Sequence, residues 1–230
     1  MPLDDRSCLE FWERAAARHP IDRALLLAAA RNPQVDWADR PLGERDAALM
    51  ALRCEWFGSA LEVRARCPAC AEQSVAKVDL RTFLHATAPV ETQAGRHADR
   101  VFEFRPPTSR DLAAICDESD AEVATRALLL RLSLGEPREW SDRESAAIEA
   151  ELDRIDPLAH IGLDMRCTAC DHRWIAPLDI AELLWEELDA AALRIVDEVH
   201  WLASGYGWSE AEILAMPAAR RRRYIGRLTS

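Results

Sequence analysis

Two stretches of the chain decide its fold: LEVRARCPACAEQSVAKVDLRTFL at residues 61–84 and IGLDMRCTACDHRWIAPLDIAELL at residues 161–184. They align without a gap at an offset of 100, and they share seven residues where composition alone predicts about two. The shared residues are Arg66/Arg166, Cys67/Cys167, Ala69/Ala169, Cys70/Cys170, Ala76/Ala176, Asp79/Asp179 and Leu84/Leu184. We interpret the pair as an internal duplication of a unit made of a strand, a CxxC turn, a strand and a helix.

The two CxxC turns predict one metal site. Alternation of apolar and charged residues on both sides of CPAC predicts a short β-hairpin. Two thiolates three residues apart on a tight turn can face one ion, and a second such turn completes a tetrahedral shell. We therefore predict that Cys67, Cys70, Cys167 and Cys170 bind one structural Zn²⁺, with no open position for a water molecule. The duplication explains how pairs so far apart in sequence could meet.

Other interpretations of these cysteines stay open at this stage. His172 could replace one thiolate, or the hairpins could pack without metal, or each CxxC could form an occasional disulfide. A thiol-disulfide oxidoreductase using Cys67 and Cys70 is a further hypothesis, although such a pair normally sits at a helix start after a strand. The chain has seven cysteines, and the isolated ones are expected to be small buried apolar side chains.

The rest of the sequence predicts a mainly α protein with a small β component. Residues 1–60 are expected to form a helical region, and 61–184 to hold the two hairpin units (61–84 and 161–184). Between those units, residues 85–160 are expected to contain a strand at VFEFR and several helices, with a loop at 87–100. Residues 185–230 are expected to form a C-terminal helical tail.

Local signals place several helix starts. Ser7 with Glu10, Ser141 with Glu144, and Ser209 with Glu212 have the spacing of a capping box. A helix is also expected from Leu80, and a long one from Asp179 to Ser204.

The net charge and the absence of known motifs disfavour several classes of function. The formal net charge of −11 disfavours binding to nucleic acid and to acidic membranes. There is no run of 18 apolar residues and the first residues are acidic, so we expect a cytoplasmic protein with no membrane span. The sequence has no phosphate loop, GxSxG, HExxH or dinucleotide fingerprint, so we expect neither an enzyme nor a small-molecule substrate.

Tryptophans and arginines near the C-terminus are the candidate partner-binding residues: Trp185, Trp201, Trp208, Arg220, Arg221, Arg222 and Arg223. Core packing is the competing interpretation of the tryptophans, and a solvated helix face that of the arginines. The arginine cluster also allows an alternative function, a zinc-ribbon regulator that binds nucleic acid.

Several segments resemble the baseplate hub and hub-assembly proteins of contractile-tailed phages and related phage-tail-like injection systems. They are RDAALMALRCEWFGSALEVRARCPAC (45–70), FRPPTSRDLAAI (104–115), DPLAHIGLDMRCTAC (156–170) and the stretch from Pro177 to Leu228, which includes LLWEEL and EVHWLASGYGWSEAEIL. The resemblance covers most of the chain from about Arg45 onward. The second turn departs from the first by reading CTAC rather than CPAC.

This resemblance implies a small helical protein without enzyme activity, encoded among tail genes. Its expected role is that of a hub component or of a chaperone-like factor that helps the hub to assemble. Its expected partners are baseplate or tail proteins of the same assembly, so it could become part of a phage-tail-like particle.

Overall fold

Helices dominate the chain in the computed structural model, which describes residues 3–85, 93–97, 100–135 and 140–228. The helices are α1 (Asp5–Ala15), α2 (Pro20–Arg31), α3 (Leu42–Phe57), α4 (Ser109–Ala113), α5 (Ala121–Leu132), α6 (Asp142–Ile155), α7 (Ile180–Tyr206), α8 (Glu210–Leu214) and α9 (Ala218–Leu228). The strands are β1 (Ala60–Arg66), β2 (Gln73–Asp79), β3 (Gln93–His97), β4 (Arg100–Phe104), β5 (Ile161–Arg166) and β6 (Arg173–Leu178). The predicted mainly α class with a small β component is confirmed.

The strands pair as antiparallel hairpins, β1 with β2, β3 with β4, and β5 with β6. In the first hairpin Leu61 lies opposite Val78, and in the third Ile161 lies opposite Leu178. The register is therefore the same at an offset of 100 residues. In both hairpins the first strand buries alternate side chains, which accounts for its alternating sequence.

Local capping signals predict two of the three expected helix starts correctly. Ser141 and Ser209 each form the expected capping box with a glutamate three residues later. The prediction for Ser7 is wrong, because α1 begins earlier. Asp4 is its N-cap, and the Asp4 carboxylate accepts a hydrogen bond from the Ser7 amide at 2.8 Å.

Two predictions for the middle of the chain also need correction. The helix expected from Leu80 is a single 3₁₀ turn, Leu80–Thr82, whose Asp79 cap binds the Arg81 amide and guanidinium. The corresponding residues after β6 continue into α7, where Ile180, Leu184 and Leu188 are all buried, whereas after β2 Leu80 is buried but Leu84 is only half-buried. The loop expected at 87–100 contains β3, although residues 86–92 and 98–99 lie outside the described part.

The chain divides into two compact units. One contains residues 1–23 and 182–230, so it joins the two ends of the sequence, and the other contains residues 24–181. The core of the first is formed by buried residues of α7, including Leu188 and Leu202, with Leu9 of α1. The second contains a cluster in which Phe104 of β4 packs with residues of α5 and α6.

No helix in the described part of the chain is both long and apolar enough to cross a lipid bilayer.

Candidate metal centre

Matching backbone hydrogen bonds close the two CxxC turns. In the first turn the Cys67 amide donates to the Glu72 carbonyl at 2.9 Å, and the Ala71 amide donates to the Cys67 carbonyl at 2.8 Å. The residues 100 positions later repeat these bonds at 2.9 and 3.0 Å. Each turn therefore folds back on its first cysteine, which brings the second cysteine to the same side.

The residue after each CxxC has a left-handed backbone. Ala71 has a φ of 61° and Asp171 has a φ of 58°. This region favours glycine, and a non-glycine residue there is held against a local preference by the surrounding structure. Aspartate is one of the residues enriched in this region, so Asp171 carried a weak sequence signal for it, whereas Ala71 carried none.

The four predicted ligands converge in the unit that contains residues 24–181. The Sγ atoms of Cys67, Cys70, Cys167 and Cys170 all lie within 4.8 Å of one another. The Sγ atoms of Cys67 and Cys170 are 3.7 Å apart, and those of Cys70 and Cys167 are 3.5 Å apart. Sulfurs from the two hairpins thus form one cluster, although the paired cysteines are 97 and 103 residues apart in sequence.

These separations fit a single tetrahedral ion. A zinc–thiolate bond of about 2.3 Å places tetrahedral sulfurs about 3.8 Å apart. Both cross-hairpin distances are close to that value, and four thiolates are the ligand set that suits zinc or an iron–sulfur centre rather than magnesium or calcium. The residues present therefore fit a bound metal ion, with two ligands from each hairpin.

Within each turn the first cysteine is more buried than the second, and both turns follow this pattern. Cys67 and Cys167, the first cysteine of each turn, are buried, whereas Cys70 and Cys170 are exposed. The two inner sulfurs would anchor an ion against the hairpins, and the two outer sulfurs would close its solvent side.

Electrostatics also favour a cation at this position. The Cys170 backbone amide lowers the pKa of Cys167 to about 7. The Glu72 backbone amide favours the Cys70 thiolate, but thiol hydrogen bonds with Cys170 and Cys167 raise the pKa of Cys70 to about 12. Several sulfurs this close cannot all ionise without a positive charge among them, and a bound metal ion supplies that charge.

His172 does not join the sulfur cluster. Its carbonyl closes the second turn, and its exposed imidazole stacks on Trp174 with ring centroids 6.2 Å apart. Among the isolated cysteines, Cys8 is buried, and burial raises its pKa to about 11. Cys116 is exposed, so the expectation of a buried side chain is wrong for it.

The second hairpin also carries a surface groove that sequence reasoning missed. It has a volume of about 470 Å³ and is lined by residues of both strands, including Arg166, Arg173, Trp174 and Ile175. Ile175 is 70% exposed, and its side chain lies over Gly162, where an added Cβ would approach it to 2.5 Å. An isoleucine in an alternating strand gave no sign of such exposure.

The predicted partner-binding tryptophans occupy three different environments. Trp185 is buried, and the Arg23 guanidinium lies 4.5 Å from the centre of its ring. Trp208 is half-buried and stacks on Tyr206 with centroids 4.5 Å apart. Trp201 is 52% exposed on α7. Of the three, Trp201 has the surface that a partner could contact most fully.

The arginine run is also divided. Arg221 is 1% exposed and donates to Asp5, to Glu198 at 2.8 Å and to the Met216 carbonyl at 2.7 Å. It is an internal contact of its unit, so the expectation that it binds a partner is wrong for this residue. Its three neighbours Arg220, Arg222 and Arg223 are exposed.

Comparisons with known proteins found no matching family model, no matching curated protein and no matching solved structure. The proposal of a zinc site therefore rests on the geometry of the four cysteines and the chemistry of their thiolates.

Proposed function

We propose that Cys67, Cys70, Cys167 and Cys170 bind one structural zinc ion. The observation that carries this proposal is the convergence of the four Sγ atoms within 4.8 Å, with two cross-hairpin distances of 3.5 and 3.7 Å that suit zinc. A shell of four protein sulfurs leaves no position for water or substrate, so the ion would stabilise structure rather than catalyse a reaction.

The two hairpins, in this proposal, are copies of one unit that meet to form a zinc-ribbon-like core. The gap-free offset of 100, the matching strand registers and the matching turn hydrogen bonds support a common origin. The copies differ after their second strands, where one has the turn Leu80–Thr82 and the other has α7. Zinc would then cross-link two hairpins whose cysteines form no disulfide.

At the level of the whole protein, we propose a non-enzymatic structural or chaperone-like assembly role in a contractile phage-tail-like baseplate. The resemblance of residues 45–70, 104–115, 156–170 and 177–228 to hub and hub-assembly proteins supports this role. An exposed tryptophan such as Trp201 suits a protein that holds partners, because large aromatic side chains anchor many interfaces. It would act in the cytoplasm and could remain in the finished particle.

Metal analysis tests the zinc site directly. Protein purified under reducing conditions should contain about one zinc per chain by mass spectrometry of the metal, because the four sulfurs form one shell. Metal-free protein whose CxxC pairs oxidise rapidly would instead favour the thiol-disulfide oxidoreductase hypothesis.

Co-purification tests the assembly role. The tagged chain, expressed together with the proteins of its neighbouring tail genes, should elute with at least one of them in size-exclusion chromatography. A chain that always elutes alone, although baseplates assemble in the same cells, would refute the role.

The alternative proposal is a zinc-ribbon regulator that binds nucleic acid, and the exposed Arg220, Arg222 and Arg223 favour it. Retention on a DNA column that falls steeply with salt would support it, because phosphate contacts release counterions. Absence of binding at low salt would remove it.

A further inference from the structure

The helical period of α9 sorts its arginines onto different faces. Residues 220, 223 and 227 follow the i, i+3, i+7 spacing that lines one side of an α-helix, whereas Arg221 points to the buried side. Rises of about 4.5 Å and about 6 Å separate successive members of this arginine stripe, Arg220, Arg223 and Arg227. The cluster that looks continuous in sequence is therefore an ordered row of three charges.

Buried contacts fix the direction in which this row points. Arg221 is held by Asp5 and Glu198, and the Tyr206 hydroxyl donates to the Tyr224 carbonyl at 3.2 Å. The rings of Trp208 and Tyr224 also meet edge to face, with centroids 4.9 Å apart. Because α9 is anchored on one side, the arginine stripe on its other side is preorganised rather than a flexible basic tail.

The three stripe arginines form no ion pair within the described part of the chain. Each is exposed, and none has a carboxylate partner there. By contrast, many exposed arginines elsewhere in the chain pair with a nearby acid, as Arg40 does with Glu44 at 2.7 Å. Three guanidinium groups on one side of a helix, with no acidic partner among the described residues, make a surface that is complementary to a row of carboxylates.

We propose that the arginine stripe docks a short acidic helical segment of a partner protein. The partner helix runs antiparallel to α9 in this proposal. Its carboxylates then lie at i, i+4 and i+7, because this orientation reverses the i, i+3, i+7 order of the stripe. This inference rests on the proposed assembly function, in which the chain holds a protein partner, and it gives the chemistry of that partner.

The charge distribution favours a short acidic segment over nucleic acid. Duplex DNA carries about one charge per 1.7 Å along its whole axis. Most of these charges would therefore lie beyond a stripe that spans only about 10 Å. Beyond the stripe the duplex would meet a chain with a net charge of −11, including the exposed Glu210 and Glu212 just before α9. A segment of two helical turns places its carboxylates on the stripe alone.

Fluorescence anisotropy with two labelled peptides tests this inference. The first is a helical peptide with glutamates at i, i+4 and i+7, and the second has the same composition with the glutamates at unmatched spacing. The zinc-loaded full chain should bind the matched peptide about tenfold more tightly, because three exposed ion pairs contribute about a factor of two each. Equal affinity for both peptides would overturn the proposal.

Matched variants separate the stripe from net charge. R220Q/R223Q/R227Q should lose about tenfold in affinity for the matched peptide. R6Q/R18Q/R126Q removes the same charge from exposed arginines elsewhere and should bind as the wild type does. Circular dichroism confirms that both variants are folded. An equal loss in both variants would overturn the inference, and so would tighter binding of a labelled DNA duplex than of the matched peptide.

The co-purification experiment keeps the two proposals distinguishable. If R220Q/R223Q/R227Q loses the peptide but still elutes with tail proteins, the stripe is not the docking site and the assembly role stands. If the wild type binds the matched peptide but never elutes with a tail protein, the assembly role fails while the recognition chemistry stands.

Discussion

The start of α3 depends on a residue from a distant helix, and this leads to a sharp mutational prediction. Pro41 provides no side-chain cap, and the Gly43 amide instead donates to Oδ2 of Asp156 at 3.0 Å in a buried position. Asp156 lies at the end of α6, 113 residues further along the chain. Its carboxylate thus does for α3 what a local aspartate does for most helices.

Gly43→Ala should be destabilising because of this contact. A Cβ at residue 43 would lie 1.9 Å from Oδ1 and 2.8 Å from Cγ of Asp156, so the carboxylate must move. Loss of the cap costs about 1 kcal/mol, and leaving the buried groups unsatisfied adds about 1–3 kcal/mol. Alanine returns up to about 1 kcal/mol through helix propensity. The expected net loss in the free energy of unfolding is about 2 kcal/mol.

A double-mutant cycle isolates the cause. In an Asp156→Ala background the obstructing oxygen is gone, and the remaining close approach of the new Cβ is 3.1 Å to the Ala159 amide nitrogen. Gly43→Ala should then cost less than about 1 kcal/mol, which gives a coupling of about 1–2 kcal/mol between the two sites. Urea unfolding of the four proteins, followed by circular dichroism, measures it. Additive effects within about 0.5 kcal/mol would show that the cap does not operate as described.

Three further predictions concern the metal site and buried charges. Cys167→Ser should lose bound zinc and lower the thermal midpoint, whereas Cys54→Ser should keep both, and zinc retained at wild-type level in Cys167→Ser would contradict the site. Arg221→Met should cost about 2 kcal/mol in urea unfolding because it removes the partner of Glu198, whose side chain is only 12% exposed, and a loss under about 1 kcal/mol would contradict this. Burial raises the pKa of Asp46 to about 6, so the folded state holds this proton more tightly than the unfolded state does. Its contribution to stability is full below pH about 4 and is lost as pH rises through about 6. Asp46→Asn should therefore flatten the decline in unfolding free energy over that range, by an amount of order 2 kcal/mol, and an unchanged decline would contradict the assignment.

Features that depend on neighbouring residues were predictable from sequence. The hairpins around Cys67 and Cys167 follow from strand alternation, and the capping boxes at Ser141 and Ser209 follow from a spacing of three residues. The clustering of the four sulfurs was predictable for a different reason. The repeat at an offset of 100 implied that two related turns could meet, even though their separation in sequence gave no direct sign of contact.

Features that depend on tertiary contacts were not predictable. Leu80 and Ile180 occupy equivalent positions, yet one opens a 3₁₀ turn and the other opens a 27-residue helix, because only the second is followed by a continuous buried face. The arginine run gave no sign that Arg221 would be buried, since its acidic partners come from α1 and α7. The Asp156 cap likewise joins residues too far apart for any local pattern to reveal.

The separation of the two ligand pairs has a consequence for how the chain is made. Cys70 leaves the ribosome 97 residues before Cys167. At a translation rate of about 5–20 residues per second, the second pair would be synthesised roughly 5–20 s after the first. During that time only two of the four ligands would be present. Two thiolates hold zinc far more weakly than four, so capture of the ion would be completed only when the second hairpin has emerged. Stable metal binding would then begin only after both hairpins have been synthesised.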